Sequence, residues 1–446
     1  MKNLTKANLR TINNKSLVQY ADIYANIEKA TLEQIESFGL PLSKRKQQGP
    51  EVHNKLRDMG AIYRNNNKSI LSNERISSAC EACTKGTGSY TTFVSLKCHR
   101  DCYFCFNKNQ DEYNFYLQNK KNVNGDLKSL VEQGVLLTHL ALTGGEPLLH
   151  PDETLAFFKL ADELVPDAHT RLYTAGDLLS EEILQGLHTT HLNEIRFSIK
   201  MEDSIQKRKH ILTKIALAKK YIPDVLVEMP VIPGTGEEMK ELLLELDKLD
   251  VFGINLLEFC FPLGNAQTFK EKGLELKNPP YDVYYNFWYA GGLAVAESEN
   301  LCLELVDFAI DRKLKLGVHY CSLENKFTGQ IYQQNHDQVL DETYQFSTRD
   351  FYFKTAKVFG KDKGKVKKVF EKHDVPFTIN EDYDFLQFPI EAIKLLKNRD
   401  VDIVLSSNVV EIEEKEQVIR EVQLELTTPK NFVLEEIGSN WLKKER

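Results

Sequence analysis

The chain has 446 residues, of which 42% are hydrophobic and 27% are charged, a composition typical of a folded protein with two or three domains. Its 57 Lys and Arg residues against 65 Asp and Glu residues give a net charge of −8, which argues against nucleic-acid binding as its main role. Residues 1–16 lack the apolar run of a signal peptide, and no stretch of about 18 apolar residues occurs. We therefore expect a cytoplasmic protein without a membrane span.

Residues 1–79 are predicted to form a mostly helical N-terminal region. One amphipathic helix is predicted from apolar residues at three- to four-residue spacing: Leu17, Tyr20, Ala21, Tyr24 and Ile27. Residues 51–60 predict a second helix, and residues 61–71 predict a hairpin that turns through a run of asparagines. A helix followed by a hairpin resembles a winged-helix fragment, although a helical cap on the next domain explains the same pattern.

Residues 80–325 alternate short apolar runs with helical segments, which predicts a parallel sheet with right-handed crossovers. The predicted strands are residues 91–97, 139–144, 171–176, 194–199, 225–233, 254–260 and 315–321. Six or seven such units close, or nearly close, into a barrel, so the predicted fold class is α/β with a partial (β/α)6-type barrel. In such barrels the chemistry takes place at the carboxyl ends of the strands.

Residues 322–349 are polar and are predicted to be a linker. Residues 350–446 are predicted to form a small C-terminal α+β domain. Its predicted strands are residues 351–360, 376–388, 402–412 and 418–428, and its predicted helices are residues 363–373 and 390–399.

Five of the eight cysteines fall within residues 80–105, and clustered cysteines in a chain without an export signal indicate metal rather than disulfides. Cys98, Cys102 and Cys105 follow the first predicted barrel strand. Three thiolates on one short loop can hold three corners of a cubane iron–sulfur cluster and leave the fourth iron free for substrate. Zinc with His99 as its fourth ligand is an alternative that this spacing suits poorly, and three reduced thiols without metal are another.

A second motif follows the second predicted strand and consists of Gly144, Gly145, Glu146 and Pro147. A C-x3-C-x2-C motif with an aromatic residue before its last cysteine, followed by GGEP, resembles the radical S-adenosylmethionine (SAM) superfamily over roughly residues 90–321. The resemblance implies that the three cysteines of the first motif hold a [4Fe-4S] cluster. The open iron of that cluster would chelate the amino and carboxylate groups of SAM.

The resemblance also implies roles for single residues. Phe104 would pack on the adenine of SAM. Gly144 and Gly145 would let the backbone approach the methionine part. Glu146 would accept a hydrogen bond from the SAM ammonium, and Pro147 would fix the turn.

Later strand ends carry weaker signals. Thr174 ends the third predicted strand and would contact SAM or substrate. Ser198 follows the fourth strand, where the family contacts SAM, whereas Lys200 departs from the family's usual choice. Val231, with Ile232, would present backbone to the adenine. Ordinary barrel packing explains each of these positions equally well.

The resemblance implies that the reduced cluster cleaves SAM to methionine and a 5′-deoxyadenosyl radical, which abstracts hydrogen from a substrate under anaerobic conditions. An electron donor such as flavodoxin or ferredoxin is implied. Domains on both sides of the barrel slightly favour a peptide or protein substrate over a small metabolite. The alternative class is a non-catalytic iron–sulfur or zinc sensor, against which the GGEP motif argues because a sensor needs no methionine-binding turn.

The remaining cysteines suggest further roles. Cys80 and Cys83 form a CxxC pair that is either half of a second metal site or a structural or redox pair. Cys260 and Cys321 end predicted strands and should face the same barrel mouth as the cluster loop. Cys321 would donate a hydrogen atom, bind a second metal beside Cys80 and Cys83, or have no role. Cys302 lies in an apolar helical pattern and is predicted to be core.

Overall fold

The computed structural model describes residues 2–4, 6–45, 49–283, 291–414 and 416–434. They fall into two compact units. The larger unit comprises Phe38–Tyr281 and Phe287–Phe327, and the smaller unit comprises Met1–Ser37, Asp282–Asn286 and Thr328–Arg446. None of the helices in the described ranges is long and apolar enough to cross a membrane.

Strands and helices are numbered in chain order. The strands are β1 (Lys2–Asn3), β2 (Ile62–Arg64), β3 (Ser69–Leu71), β4 (Ser89–Phe93), β5 (His139–Thr143), β6 (His169–Thr174), β7 (Glu194–Phe197), β8 (Asp224–Val231), β9 (Gly253–Glu258), β10 (Cys260–Phe261), β11 (Leu293–Ala294), β12 (Gly317–Cys321), β13 (Gln345–Phe346), β14 (Phe353–Phe359), β15 (Thr378–Asn380), β16 (Phe385–Phe388), β17 (Ile403–Glu413) and β18 (Glu416–Thr427). The α-helices are α1 (Lys6–Leu9), α2 (Lys15–Ser37), α3 (Pro50–Asp58), α4 (Ser78–Cys83), α5 (Tyr113–Tyr116), α6 (Val123–Glu132), α7 (Pro151–Leu164), α8 (Glu181–Thr189), α9 (Ile205–Ala218), α10 (Gly236–Lys248), α11 (Ala266–Glu271), α12 (Ser298–Asp311), α13 (Thr328–Asn335) and α14 (Asp362–His373).

The larger unit contains a nine-stranded sheet in the order β2-β3-β12-β9-β8-β7-β6-β5-β4. The six strands from β4 to β9 run parallel to one another and to β12. This confirms the mixed α/β class and the parallel sheet that the strand–helix alternation predicted. Because the strands are parallel, the loops that follow them gather at one edge of the sheet, where the predicted chemistry falls.

The predicted N-terminal region is divided between the two units after Ser37. The hairpin β2-β3 belongs to the larger unit, where β3 pairs antiparallel with β12 through Ser69 and Cys321. All three residues of β3 are buried, so the hairpin extends the parallel sheet. The winged-helix interpretation is therefore wrong, since these strands complete the sheet of the next domain.

The smaller unit contains an antiparallel sheet in the order β1-β18-β17-β14-β16-β15, with β13 paired to β14. Helix α2 covers part of this sheet, because Leu17 and Ala21 share a buried cluster with Phe359 and Val404. Residues 1–37 pack here for that reason.

Several predicted elements of the C-terminal half differ from the structure. The predicted linker contains the helix α13. The predicted strand 376–388 is a hairpin of β15 and β16, and the predicted helix 390–399 is a 3-10 segment, Ile390–Leu396. Residues 435–446 of the predicted domain lie outside the described residues.

Replacing Leu17 by alanine should lower the free energy of unfolding by about 2–5 kcal/mol, because its fully buried side chain would leave a cavity under α2. Urea unfolding followed by circular dichroism measures the change. Ile27→Ala on the same helix is the matched control, since Ile27 is 60% exposed and should change stability by about 0.5 kcal/mol or less. Equal effects of the two substitutions would contradict the packing of α2 on the sheet.

Candidate active site

The cysteine motif lies on the loop that leaves β4. Buried Val94 and Leu96 anchor the start of this loop, and the Leu96 N–H donates to the Tyr116 carbonyl at 3.0 Å. Beyond them the chain turns outward, and Cys98 is exposed while Cys102 and Cys105 are half-buried. None of these three cysteines forms a disulfide. All three thiols are therefore available on this loop at the carboxyl edge of the sheet.

A cavity of about 540 Å³ opens beside this loop. Residues from the ends of β4 through β9 line it, including the three cysteines of the loop. The predicted site residues in its wall are Cys98, Cys102, Cys105, Gly144, Gly145, Glu146, Thr174 and Ser198. The structure thus brings eight predicted positions from four loops to one cavity.

The two glycines of the GGEP motif pack against the cysteine loop. The Gly145 N–H donates to the Ser95 carbonyl at 3.1 Å, and the Glu146 N–H donates to the Lys97 carbonyl at 2.8 Å. A Cβ on Gly145 would lie 2.0 Å from the Lys97 carbonyl oxygen, and Gly144 adopts a φ of +105°. Glycine is required here for close backbone packing between two loops of the protein, whereas the sequence had suggested close approach to SAM.

The Glu146 carboxylate is buried and joins the ends of two strands. It accepts hydrogen bonds from the Leu148 N–H at 3.0 Å, the Thr174 hydroxyl at 2.8 Å and the Ala175 N–H at 2.7 Å. Burial raises the pKa of Glu146, and these hydrogen bonds oppose that rise. Contact of Glu146 or Thr174 with SAM stays a prediction.

A buried ionic clamp holds the cysteine loop. Arg100, two residues after Cys98, donates to both carboxylate oxygens of Asp177 at 2.8 and 2.7 Å and to Asp203 at 2.6 Å. His99 Nε2 lies 2.8 Å from Asp177 Oδ2. Burial alone would raise the pKa of Asp177, but the hydrogen bonds from His99 and Arg100 hold it below its usual value. The clamp joins the loops that follow β4, β6 and β7.

Sequence reasoning missed this clamp, along with several other residues of the cavity wall. Lys200, which the sequence analysis named only as a departure from the family's usual choice, also lines the cavity. Burial raises the pKa of the Cys98 and Cys105 thiols, and the Lys200 ammonium opposes that rise. Arg196 and Glu228 line the cavity from the strand interiors. In the sequence, each of these two residues is a charged residue within an apolar predicted strand. Because a buried charge needs a partner, this pattern could have indicated them.

Three predicted cofactor positions lie outside the cavity wall. Phe104 packs edge-on against Tyr103 and Phe259, with ring centroids 5.0 and 5.4 Å apart. Val231 is fully buried and its carbonyl accepts from the Ser298 hydroxyl at 2.8 Å. Pro230 lines the cavity instead, because neighbouring side chains of a strand point to opposite faces. Contact of Phe104 or Val231 with the adenine of SAM stays a prediction.

The third such position is Pro147, which is buried and begins a 3-10 segment, Pro147–Leu149, shortly after the GGEP glycines. Its predicted role in fixing the turn fits this placement.

The later cysteines also differ from their predicted positions. Cys260 lies in the separate ribbon β10-β11 and is buried, so it does not end β9. Cys321 ends β12 as predicted, but its side chain is buried and does not line the cavity described above. Cys302 is fully buried on α12, in agreement with the predicted core role.

The donor set of the cysteine loop fits an iron–sulfur cluster better than a single zinc ion. Across the described ranges, no three His, Cys, Asp or Glu side chains are gathered closely enough to hold one metal ion. A zinc ion needs all its ligands within about 2.0–2.3 Å of one point, whereas cluster thiolates bind different irons. His99 is engaged by Asp177, which further disfavours it as a zinc ligand.

Comparison with known proteins agrees with this geometry. Residues 92–246 match the family model of the radical SAM superfamily. A putative glycyl-radical enzyme activating enzyme of Methanocaldococcus jannaschii is 27% identical over 254 residues, which cover 56% of this chain and 64% of that protein. A GTP 3′,8-cyclase of a Cyanothece species is 27% identical over 192 residues, which cover 40% of this chain and 57% of that protein. These matches support a radical SAM domain at residues 92–246, and the chain spans less than two thirds of the length of these relatives.

Among solved structures, the chain resembles SuiB of Streptococcus suis, bound to the precursor peptide SuiA. The TM-score is 0.39 at 14% identity, over 73% of this chain and 67% of that one.

Replacing Gly145 by alanine should displace the cysteine loop, because the new Cβ would collide with the Lys97 backbone. We expect a loss of about 1–3 kcal/mol in the free energy of unfolding, together with reduced iron content after reconstitution. Gly264→Ala is the matched control, since a Cβ there meets nothing within 4 Å. Wild-type stability and iron content in Gly145→Ala would contradict the packing.

Replacing Arg100 by methionine should loosen the cysteine loop by removing three charge-assisted hydrogen bonds, each worth about 1.5–3 kcal/mol. We expect iron to pass to a chelator at least tenfold faster than from the wild type, and Arg100→Lys to recover only part of the difference because lysine lacks the planar fork. Arg312→Met is the control, since Arg312 is 61% exposed. Equal rates in Arg100→Met and the control would refute the clamp.

Proposed function

We propose that this protein is a radical SAM enzyme in which Cys98, Cys102 and Cys105 bind a [4Fe-4S] cluster and the adjoining cavity binds SAM. The observation that carries the proposal is the convergence of the three thiols and the GGEP turn on one cavity of about 540 Å³. Residues 92–246, which match the superfamily, contain both motifs.

When bound, such a cluster supplies the electron that cleaves SAM to methionine and a 5′-deoxyadenosyl radical. The chain's own residues position the ligand and exclude water. Leu96, after β4, and Leu257, on β9, give the cavity an apolar part of its wall. Ser198 and Lys200 bring a hydroxyl and an ammonium group to the wall, where they would bind the ribose and the carboxylate of SAM.

The proposed substrate is a peptide or protein, from which the enzyme abstracts hydrogen. The relative that aligns over 254 residues is named as an enzyme that activates another enzyme, which supports a protein substrate. A small metabolite is the second candidate, and the cyclase relative, named for a nucleotide, supports it. Flavodoxin or ferredoxin is the proposed electron donor, and the cytoplasm is the proposed location.

The test is formation of 5′-deoxyadenosine by the anaerobically reconstituted protein with dithionite and SAM. Single replacement of Cys98, Cys102 or Cys105 by alanine should lower the rate at least a hundredfold, because each thiol supplies one of three ligands. Cys302→Ala is the matched control and should keep the wild-type rate, since Cys302 lies in the core of α12. A wild-type protein that binds iron but forms no 5′-deoxyadenosine would favour the sensor alternative.

The substrate class is tested separately. Extract of cells grown in deuterated medium is divided by ultrafiltration, and each fraction is added to the enzyme with unlabelled SAM. Appearance of deuterium in 5′-deoxyadenosine with the retained fraction, with sensitivity to protease, supports a peptide or protein substrate. The same signal only in the filtrate supports a metabolite and contradicts the peptide proposal.

A further inference from the structure

Three cysteines that the cluster cavity does not use come together inside the larger unit. The Cys80 sulfur on α4 accepts from the Asn255 side-chain amide of β9 at 3.3 Å. Asn255 is the registered partner of His319 on β12, and its Oδ1 lies 2.9 Å from His319 Nδ1. Cys321 is two residues beyond His319, so it lies on the same face of β12. Cys80 and Cys321 therefore belong to one neighbourhood of the interior.

Cys83 completes the group. It follows Cys80 by three residues on α4, so the two side chains lie on the same side of the helix. Burial raises the pKa of the Cys321 thiol to about 12, and negative charge on Cys83 and Cys80 raises it as well. The three thiols, named here the interior thiols, are thus close enough to interact electrostatically.

Side-chain N–H donors surround the sulfurs of two of the interior thiols. Arg196 donates to the Cys80 sulfur at 3.4 Å in addition to Asn255, and Asn325 donates to the Cys321 sulfur at 3.2 Å. A neutral thiol is only a weak acceptor, whereas metal-bound thiolates commonly receive N–H hydrogen bonds that tune the metal. Two uncharged, buried thiols would not need three side-chain N–H donors. This arrangement is therefore typical of sulfurs that bind a metal.

A cation lies near two of the interior thiols. Burial raises the pKa of the Cys83 and Cys321 thiols, and the Lys326 ammonium opposes that rise. No carboxylate within the described ranges forms an ion pair with Lys326, so its charge would help to balance thiolates that are bound to iron.

We propose that the interior thiols Cys80, Cys83 and Cys321 bind a second iron–sulfur cluster. A cluster suits them better than a single ion, because no three such side chains in the described part of the chain surround one point. The cysteines of the family motif form no such group among the described residues either, and thiolates that bind separate irons do not have to surround one point. Each thiol loses its proton to solvent when its sulfur bonds iron.

The second cluster would lie behind the cavity wall. Arg196 and Glu228 line the cavity, while Arg196 also donates to Cys80, and the Glu228 charge raises the pKa of Cys83. The two proposed clusters would therefore share one layer of charged side chains.

The experiment compares iron and acid-labile sulfide per chain after anaerobic reconstitution with ferrous iron and sulfide. The wild type should hold about eight irons, and the variant with Cys80, Cys83 and Cys321 all replaced by serine should hold about four. The variant with Cys98, Cys102 and Cys105 all replaced by alanine should also hold about four, with an electron paramagnetic resonance signal that does not respond to SAM. Cys302→Ser is the matched control and should keep about eight.

Cys83→Ser alone guards against misfolding of the triple variant, because Cys83 is the least buried of the three thiols and serine has nearly the same shape as cysteine. It should lower the iron content and leave the unfolding midpoint unchanged. Wild-type iron in both interior-thiol variants would overturn the second cluster, as would loss of zinc in place of iron. In either case 5′-deoxyadenosine formation reports independently on the proposed function, so failure of one proposal is distinguishable from failure of the other.

Discussion

The arrangement of the site depends on a backbone contact between two loops. The turn after β5 lies so close to the loop after β4 that no side chain fits at Gly145, and two backbone hydrogen bonds join the loops. This contact sets the position of the cysteines relative to the Glu146 carboxylate. Because both loops follow neighbouring parallel strands, the sheet brings them together and the glycines let them touch.

Charged side chains extend this contact across the carboxyl edge of the sheet. Glu146 reaches the end of β6, and Arg100 reaches the loops after β6 and β7. Both are mostly shielded from solvent, where charge-assisted hydrogen bonds are stronger than at the surface. The loop that carries the cysteines is therefore held from two directions, as a site that positions a reactive ligand requires.

The sequence was most informative where function imposes local constraints. The C-x3-C-x2-C and GGEP motifs each lie within a few residues, so their spacing could be recognised without knowledge of the fold, and the structure places both at one cavity. The strand–helix alternation likewise predicted the parallel sheet, because it depends on periodicity within short segments. Predicted strands often ran past the end of the real ones, since the loops begin with the same apolar residues that complete the strands, as Val94 and Leu96 do after β4.

What the sequence could not reveal depends on long-range contacts or on the direction of a side chain. The Arg100 clamp joins residues 77 and 103 positions apart, and no local pattern marks such a pair. Val231 and Pro230 are neighbours at the end of one strand, yet only Pro230 faces the cavity, because a register shift of one residue exchanges the two faces. The hairpin β2-β3 looked like part of a separate domain because its partner strand, β12, comes some 250 residues later in the chain.

The charged interior beneath the cavity follows from the same geometry. Arg196 lies on β7 between Glu194 and Glu228, and it also donates to Ser77 and Cys80 near α4. Although burial alone would raise the pKa of Glu194, the Arg196 charge holds it at about 2, so the pair remains ionised through the neutral range. The N–H groups of Arg196 donate to these partners, and the hydrogen bonds hold its side chain in place. The cavity floor is consequently rigid and polar, and one guanidinium connects the wall of the proposed SAM site to the cysteines behind it.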